Sequence, residues 1–327
     1  MRINLIAWDN GFGLTRNLRL LGDALKAGGH EVSISAIRRG KLAKILGPLR
    51  ARTKIAWRRA RGEDPRQYDA SLMLEHVRPV FFPLARHNVL MPHPEWFDAR
   101  DRAAFGGVDR VFVLTHHAVP IFERLGAPVE YVGFTSEDRF DSGIPRERAF
   151  FHLAGRSANK GTEPLLALWR KHPHWPLLTV VQNPRSARAG PPAANIRHLI
   201  DYLGDAELKR LQNAHRFHLC PSETEGFGHY LVEAMSIGAV TFTVDASPMN
   251  EMVTPERGVR IAVARTGTQN LAVTSFFDER AMEQAVERAI AMDIVELGHI
   301  GAAARDWFVD NDRAFRERIN AAVAALD

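Results

Sequence analysis

Short apolar runs alternate with helical patterns of apolar residues along most of this chain. The first run extends from Ile3 to Trp8 and ends in a polar turn that contains glycine. Leucines then recur at helical spacing from Leu14 to Leu25, Gly28 and Gly29 end that pattern, and a strand pattern resumes from Val32 to Ile37. Strands that alternate with helices predict a parallel sheet covered by helices on both faces.

The alternation continues in two blocks, separated by a charged, turn-rich stretch from Asp138 to Arg148. Because one hydrophobic core usually stops growing near ~250–300 residues, 327 residues predict two domains. We place a first Rossmann-like domain at 1–141, a second at 142–305, and a C-terminal helix at 306–327 that could pack back on the first. The further predicted strands are Ala70–Leu74, Asn88–Met91, Arg110–Leu114, Val129–Val132, Ala149–Leu153, Leu177–Val181, Ile196–Leu199, Phe217–Cys220 and Ala239–Val244.

This α/β pattern predicts two doubly wound parallel sheets. In such sheets a ligand binds at the carboxyl ends of the strands, and the cleft between two facing domains is the expected site. The single cysteine, Cys220, excludes an internal disulfide and a cysteine zinc cluster. No apolar run approaches the ~20 residues of a membrane span, and the N-terminus does not resemble a signal peptide, so we expect a cytoplasmic protein.

The formal net charge of +5 is unevenly distributed. The segment from Arg38 to Arg61 holds ten basic residues and no acidic ones, which leaves the rest of the chain at −5. Apolar residues such as Leu46 and Trp57 are interleaved with these cations. Segment 38–61 could therefore lie on an anionic membrane, bind nucleic-acid phosphates, or form a solvated surface helix.

The most informative motif runs from Leu219 to Met235. A predicted strand ends at Pro221, a polar loop carries Glu225 and Gly226-Phe227-Gly228, and a helix with Glu233 in its first turn begins near Tyr230. Glycines let a ligand approach the backbone closely, the free N–H groups of a helix start favour an anion, and each carboxylate can accept hydrogen bonds from sugar hydroxyls. Alternatively, Glu225 caps the loop and Glu233 complements the helix dipole.

This segment resembles the Glu-Gly-Phe-Gly and Glu-x7-Glu signature of retaining glycosyltransferases with the GT-B architecture, the group known as glycosyltransferase family 4. The resemblance implies that Glu225 and the amides of Gly226, Phe227 and Gly228 hold a donor sugar, and that Glu233 holds the nucleotide ribose. The sequence departs from the family at His229-Tyr230, where a small or apolar pair is usual.

A second match, from Leu153 to Gly161, follows the first predicted strand of the second domain. Its Gly155, Arg156 and Lys160 resemble the family's Gly-Arg...Lys-Gly motif, which implies that Arg156 and Lys160 bind the diphosphate. Fixed cations suit a transferase that uses no metal, because the departing diphosphate gains charge in the transition state. The spacing of four between the two cations is one shorter than the usual form.

Two N-terminal features extend the resemblance. Gly11 and Gly13 lie in the loop after the first strand, where the family places a flexible glycine loop against the diphosphate and the acceptor. This loop lacks the third glycine of a dinucleotide fingerprint, which disfavours a nicotinamide enzyme. His93 follows another predicted strand, where the family has a histidine facing the reaction centre; a structural role is the alternative.

The resemblance thus implies a metal-independent hexosyltransferase that moves a sugar from a UDP- or GDP-sugar to a hydroxyl of a glycan or lipid-linked acceptor, without a cofactor. It further implies a role in bacterial surface glycan or glycolipid synthesis, in the cytoplasm or peripherally on the inner face of the cytoplasmic membrane. Two alternatives remain open. One is a catalytically silent sugar-nucleotide-binding protein, and the other is a nucleic-acid-binding protein or DNA glycosyltransferase that uses segment 38–61.

Overall fold

A computed structural model of the chain describes residues 1–8, 13–37, 49, 52–53 and 55–326. The chain divides into two compact units. Unit 1 comprises Met1–Thr135, Gln269–Leu271 and Asp312–Asp327, and unit 2 comprises Ser136–Thr268 and Ala272–Asn311. The first boundary therefore lies six residues before the one drawn from sequence at 141, and the C-terminal residues from Asp312 onward belong to unit 1.

Unit 1 is built on a six-stranded sheet in which all five pairs of neighbouring strands are parallel. The spatial order of its strands is β2-β1-β3-β4-β5-β6. Their ranges are β1 Arg2–Trp8, β2 Glu31–Ile37, β3 Tyr68–Glu75, β4 Ala85–Pro92, β5 Arg110–Val113 and β6 Val129–Tyr131. The α-helices are α1 Gly13–Ala27, α2 Ala99–Ala104 and α3 Ala118–Glu123, with 3₁₀ helices at Pro79–Leu84 and Phe105–Gly107, and residues 55–60 are also helical.

Unit 2 contains a second six-stranded parallel sheet, in the order β12-β11-β10-β7-β8-β9. Its strands are β7 Glu147–Gly155, β8 Leu178–Gln182, β9 Ile196–Ile200, β10 His215–Cys220, β11 Val240–Val244 and β12 Gly258–Ile261. A separate two-stranded sheet pairs β13 Val263–Gln269 with β14 Ala272–Phe277. The helices are α4 Thr162–Lys171, α5 Asp205–Ala214, α6 His229–Ser236, α7 Met249–Met252, α8 Glu279–Ala291 and α9 Ile294–Ala324, of which α9 belongs to unit 1 from Asp312 onward.

The central strands of both sheets are buried along nearly their whole length. Every residue of β8 and of β11 is buried, and the middle five residues of β1 are buried as well. Helices cover both faces of such strands, so their sequences are almost continuously apolar. The predicted α/β fold with two doubly wound sheets is confirmed.

The structure contains three strands that the sequence analysis did not predict, β12, β13 and β14. The residues of β13 are exposed or half-buried throughout, and its sequence is rich in Thr, Arg and Gly. No apolar run marks such a strand, because neither of its faces is fully buried. None of the described helices is both long enough and apolar enough to cross a membrane.

Candidate functional site

The strand order of unit 2 reverses direction beside its first strand. From β7 the chain adds β8 and β9 on one side, then returns to place β10, β11 and β12 on the other. Because β7 and β10 are adjacent and parallel, the loops that follow Gly155 and Cys220 leave the sheet at the same edge. Ligands of open α/β sheets bind at such a switch point, where the two loops diverge. The two motifs of the second domain occupy these two loops.

Two backbone contacts hold the loops together. The N–H of Glu223 donates to the carbonyl of Asn159 at 2.9 Å. Gly161 has a φ of +64°, and a Cβ built on it would lie 2.6 Å from the carbonyl oxygen of Pro221. Only glycine fits a left-handed position that approaches another backbone this closely. The Lys-Gly pair of the motif therefore brings Lys160 against the loop that carries Glu225.

Lys160 and Glu225 form an ion pair between Nζ and Oε1, and their side chains are only 15% and 14% exposed. The ammonium also lies 3.6 Å from the ring centroid of Tyr230. Ser222 donates its hydroxyl to the same Oε1 of Glu225 and is hydrogen-bonded to the phenol of Tyr230. Four polar side chains from two loops and the start of α6 thus form one cluster with a neutral overall charge.

The phenol of Tyr230 is neutral in this cluster. Burial raises its pKa well above the ordinary value of 10, and the neighbouring Cys220 and Glu225 add to that shift. Burial likewise raises the pKa of the Cys220 thiol well above 9. Neither group ionises near neutral pH, so the charges available to a ligand here are those of Lys160 and Glu225.

The helix α6 begins directly after the glycine-containing loop. Gly228 precedes it with a φ of +92°, and a Cβ there would lie 2.7 Å from the side chain of Leu231. The side chain of Phe227 is buried beside it. Because glycine has no side chain, Gly228 cannot cap the N–H groups at the start of α6. Such uncapped N–H groups at a helix start bind anions.

Glu233, the second carboxylate of the motif, lies inside unit 2. It is 1% exposed and accepts a hydrogen bond of 2.9 Å from Nε2 of Gln212, a residue of α5. The Oε1 of Gln212 accepts in turn from Nε of Arg139, also at 2.9 Å. Arg139 completes the chain with a 2.7 Å ion pair to Asp205. The carboxylate expected to bind the ribose is thus held by a hydrogen-bonded network in which Gln212 and Arg139 are buried.

The other residues predicted from these two motifs lie outside the cluster of Lys160 and Glu225. Arg156 is exposed on the loop after β7, four positions before Lys160, and Gly155 ends β7 with a φ of +56°. His229, the unusual residue at the start of α6, shares a 2.7 Å hydrogen bond with the hydroxyl of Ser136. The structure therefore brings Lys160, Glu225 and Gly226-Phe227-Gly228 together, and leaves the role of Arg156 as a prediction.

The sheet of unit 1 has its own switch point, between β1 and β3. Gly11 lies outside the described residues, and Gly13 is the first residue of α1. His93 follows β4, and its Nδ1 lies 3.8 Å from Oε1 of Glu75, the last residue of β3. Glu75 has a φ of +71°, an unusual conformation for a residue with a side chain.

His76 and Asp101 extend this group. Nδ1 of His76 lies 2.8 Å from Oδ2 of Asp101, and its Nε2 lies 3.6 Å from Oε2 of Glu75. The hydrogen bond with Asp101 raises the pKa of His76 against the opposing effect of burial. Burial alone would raise the pKa of Asp101, but hydrogen bonds from His76 and from backbone N–H groups lower it. This end of the unit 1 sheet therefore carries titratable groups.

The sequence analysis did not identify Ser222, Gln212, Glu75 and His76 as parts of these groups. Ser222 lies inside the quoted motif, three residues before Glu225, so its proximity was readable from the sequence. Gln212 is 21 residues from Glu233 and reaches it only because α5 and α6 pack in the same unit. Within the described residues, no three His, Cys, Asp or Glu side chains are placed to hold a metal ion. The expected metal independence stays a prediction.

Residues 134–291 match the sequence profile of the family described as Glycosyl transferases group 1, a match that covers slightly less than half of the chain. A search of curated proteins found no match. Among solved structures, sucrose-phosphate synthase from Thermosynechococcus elongatus superposes with a TM-score of 0.73 at 15% identity, covering 100% of this chain and 99% of that one.

Two further structures give similar values. A glycosyltransferase from Rickettsia africae has a TM-score of 0.70 at 12% identity, over 99% of this chain and 98% of that chain. The Anabaena protein HepE in complex with UDP and glucose has a TM-score of 0.69 at 15% identity, over 99% and 100%. The predicted GT-B fold is confirmed by these superpositions, and the residues that match the group 1 glycosyl transferase profile make up most of unit 2.

Proposed function

We propose that this protein is a retaining glycosyltransferase that moves a sugar from a nucleotide diphosphate donor to a hydroxyl acceptor. The observation that carries the proposal is the cluster of Lys160, Glu225, Ser222 and Tyr230 at the switch point of the sheet in unit 2. It lies within the residues that match the glycosyltransferase family. The complex of HepE with UDP and glucose is consistent with a UDP-sugar donor.

Lys160 is assigned to the diphosphate. Its ammonium is mostly buried and rigidly held between the carboxylate of Glu225 and the ring of Tyr230. In transfer, the bond between the anomeric carbon and the diphosphate oxygen breaks, and negative charge collects on the departing diphosphate. A fixed cation and the N–H groups at the start of α6 stabilise that charge more than they stabilise the bound donor. Arg156 is assigned to the same diphosphate from the exposed side.

Glu225 is assigned to the donor sugar. One carboxylate oxygen is already engaged by Lys160 and Ser222, which fixes the orientation of the side chain. The other oxygen can accept from sugar hydroxyls, together with the loop amides around Gly226 and Phe227. Glu233 is assigned to the ribose hydroxyls, with Gln212 holding the carboxylate in place until the donor binds.

The acceptor hydroxyl is assigned to unit 1, where His93 lies beside Glu75. In front-face transfer the acceptor oxygen attacks the anomeric carbon from the side that the diphosphate leaves, and the hydroxyl proton passes to the departing phosphate oxygen. The configuration is then retained without an enzymic nucleophile or a metal. His93 orients the transferring sugar or the acceptor by a hydrogen bond.

Donor screening tests the proposal directly. A ligand that binds only the folded state raises the melting temperature of the protein, and the rise grows with the affinity and the concentration of the ligand. We expect UDP or GDP to raise Tm in the wild type and not in Lys160→Ala, and the matching nucleotide sugar to be hydrolysed slowly or transferred to an added acceptor. If nucleotide sugars bind but neither hydrolysis nor transfer occurs over hours, the silent binding protein is the correct alternative.

Segment 38–61 is assigned to a lipid-linked acceptor at a membrane surface. In its described part, Trp57 is 57% exposed and Leu49 is 48% exposed, while Ile55 is buried against unit 1. Arg61 lies over the Trp57 ring at 4.3 Å. Exposed Trp beside Arg is typical of helices at membrane interfaces. We expect the protein to sediment with phosphatidylserine vesicles and not with phosphatidylcholine vesicles, and Trp57→Ser to weaken this binding. Salt-sensitive binding to duplex DNA instead would favour the nucleic-acid alternative.

A further inference from the structure

Unit 2 contains a cavity at the end of its sheet opposite to the Lys160 cluster. It has a volume of about 480 Å³ and is lined by residues that precede or begin β7, β10 and β11, together with one side of α9. Arg146 immediately precedes β7, whereas Lys160 follows its end. Because β7 has nine residues and a strand rises ~3.3 Å per residue, the two sites lie roughly 25 Å apart.

The charges in this cavity are unbalanced. Arg146 and Arg216 both line it, and the charge of Arg216 is one cause of the lowered pKa of Arg146. Arg146 donates to the backbone carbonyls of Ile237 and Gly238, which carry no formal charge. In the described part of the chain, no carboxylate forms an ion pair with Arg146 or Arg216, and the guanidinium of Arg216 donates no hydrogen bond to another described residue.

The other charged groups of the cavity wall, Arg305 and Asp141, each have a partner outside the Arg146 and Arg216 pair. Arg305 forms a two-point ion pair with Asp138, with N–O distances of 2.6 and 2.7 Å. The carboxylate of Asp141 accepts the N–H of Gly143 at 3.0 Å. Burial lowers the pKa of Arg146, and the nearby charge of Arg216 lowers it further. Two like charges held close together and partly out of water cost free energy that a bound anion recovers.

The rest of the wall is apolar and small. Ile144, Ile237, Val240 and Leu297 form it, and α9 presents Gly298 and Gly301 to the cavity. Gly301 is required by contact with Gly238, because a Cβ on Gly301 would lie 2.5 Å from the Gly238 carbonyl oxygen. Gly298 has no such constraint, since nothing lies within 4 Å of its Cβ position. The open volume on this side therefore comes from a position that could carry a side chain.

We propose that this cavity is a second ligand site, in which Arg146 and Arg216 bind the phosphate group of a small phosphorylated metabolite and the apolar wall contacts its carbon skeleton. Guanidinium groups suit phosphate oxygens because they can donate two parallel hydrogen bonds. A volume of about 480 Å³ suits a molecule of sugar phosphate size rather than a macromolecular surface. The site is independent of the donor site and does not rest on the proposed transfer reaction.

Calorimetric titration of the full chain with inorganic pyrophosphate tests this site. We expect Arg216→Gln to weaken binding by at least about tenfold, the loss expected for one charge-assisted contact of ~1.4 kcal/mol. The control Arg280→Gln, which removes an exposed cation of α8 in the same unit, should leave the affinity within about twofold of the wild type. Lys160→Ala separates the two sites, because pyrophosphate bound in the cavity persists in this variant.

A second variant keeps the test independent of the folding of Arg216→Gln. Gly298→Leu places a side chain toward the open volume on a helix, where leucine is favoured over glycine by roughly 0.5–1 kcal/mol. It should retain the cooperative unfolding of the wild type and, combined with Lys160→Ala, lose the pyrophosphate binding that persists in Lys160→Ala alone. Unchanged binding in both Arg216→Gln and Gly298→Leu, or binding abolished by Lys160→Ala alone, would overturn the proposal.

Discussion

The two sheets of this protein place different chemistry at the carboxyl ends of their strands. In unit 2, Lys160 and Glu225 meet between β7 and β10 as a fixed ion pair beside the neutral phenol of Tyr230. In unit 1, the carboxyl ends of β3 and β4 carry Glu75 and His93. A lysine and a glutamate keep their charges across the physiological pH range, whereas an imidazole changes charge within it.

Histidines of the two units also differ in their surroundings. His152 and His218 lie fully inside unit 2, where burial lowers their pKa values to about 4 and about 3. His76 of unit 1 instead shares a hydrogen bond with the carboxylate of Asp101, which raises its pKa. Near neutral pH the two buried histidines of unit 2 are therefore neutral, whereas His76 of unit 1 binds a proton more readily than a free imidazole does.

The largest expected effect is the loss of Lys160. Lys160→Ala should lower kcat/KM for glycosyl transfer by ~100–1000-fold. In a water-poor site, one fixed cation beside the leaving group contributes roughly 3–4 kcal/mol of transition-state stabilisation. The control is Lys171→Ala, which removes an exposed lysine of the same unit from its pair with Glu279 and should change the rate by less than about twofold. Near-normal turnover in Lys160→Ala would place the diphosphate elsewhere.

A smaller loss is expected at Glu225. Glu225→Gln keeps the size of the side chain and removes its charge, so we expect kcat/KM to fall by ~10–100-fold through weaker contacts to sugar hydroxyls. Because Glu225 and Lys160 are paired, the double variant should lose much less than the product of the two single losses. Steady-state kinetics of the three variants measures the coupling, and strict multiplication would show that the two residues act separately.

The buried histidines predict an acid-sensitive unit 2. The unfolded chain binds protons on His152 and His218 near pH 6.5, whereas the folded unit does so only near pH 4 and pH 3. Stability therefore falls as pH drops from about 6.5 toward 4, by up to ~1.4 kcal/mol per pH unit for each histidine. Hydrogen exchange of β7 and β10 at pH 5 and pH 7.5 measures this loss, and equal protection at both values would contradict it.

The smallest effect is expected at His76, where the dependence of stability on pH has the opposite sign. A raised folded pKa means that protonated His76 stabilises unit 1 fully below the unfolded value of 6.5, and that this contribution is lost as pH rises through the folded value. His76→Gln should lower the free energy of unfolding by about 1 kcal/mol at pH 5.5 and by much less at pH 8.5. Hydrogen exchange in β3, measured over a denaturant titration, tests this. The control is His174→Gln, which changes a histidine of unit 2. A deficit that does not depend on pH would assign His76 a packing role only.

Much of the fold was predictable because the central strands are buried on both faces. All eleven predicted strands correspond to strands of the structure. Burial on both faces gives central strands such as β8 and β11 a run of mostly apolar residues. The strands β13 and β14 form a separate pair with polar, partly exposed residues, so no such run marks β13. The short β12 follows a four-residue helix and offers too few residues for a periodicity to be recognised.

By itself, the sequence determined the order of strands and helices, and the residue types that a loop at the end of β10 presents to a ligand. Motif spacing encodes these features because neighbours along the chain are neighbours in a loop. Only the tertiary structure decided that Lys160 pairs with Glu225 across 65 positions, that Gln212 holds Glu233, and that Arg146 and Arg216 share a cavity far from both. Such contacts depend on which strands lie side by side, and strand order in a parallel sheet is a property of packing rather than of local sequence.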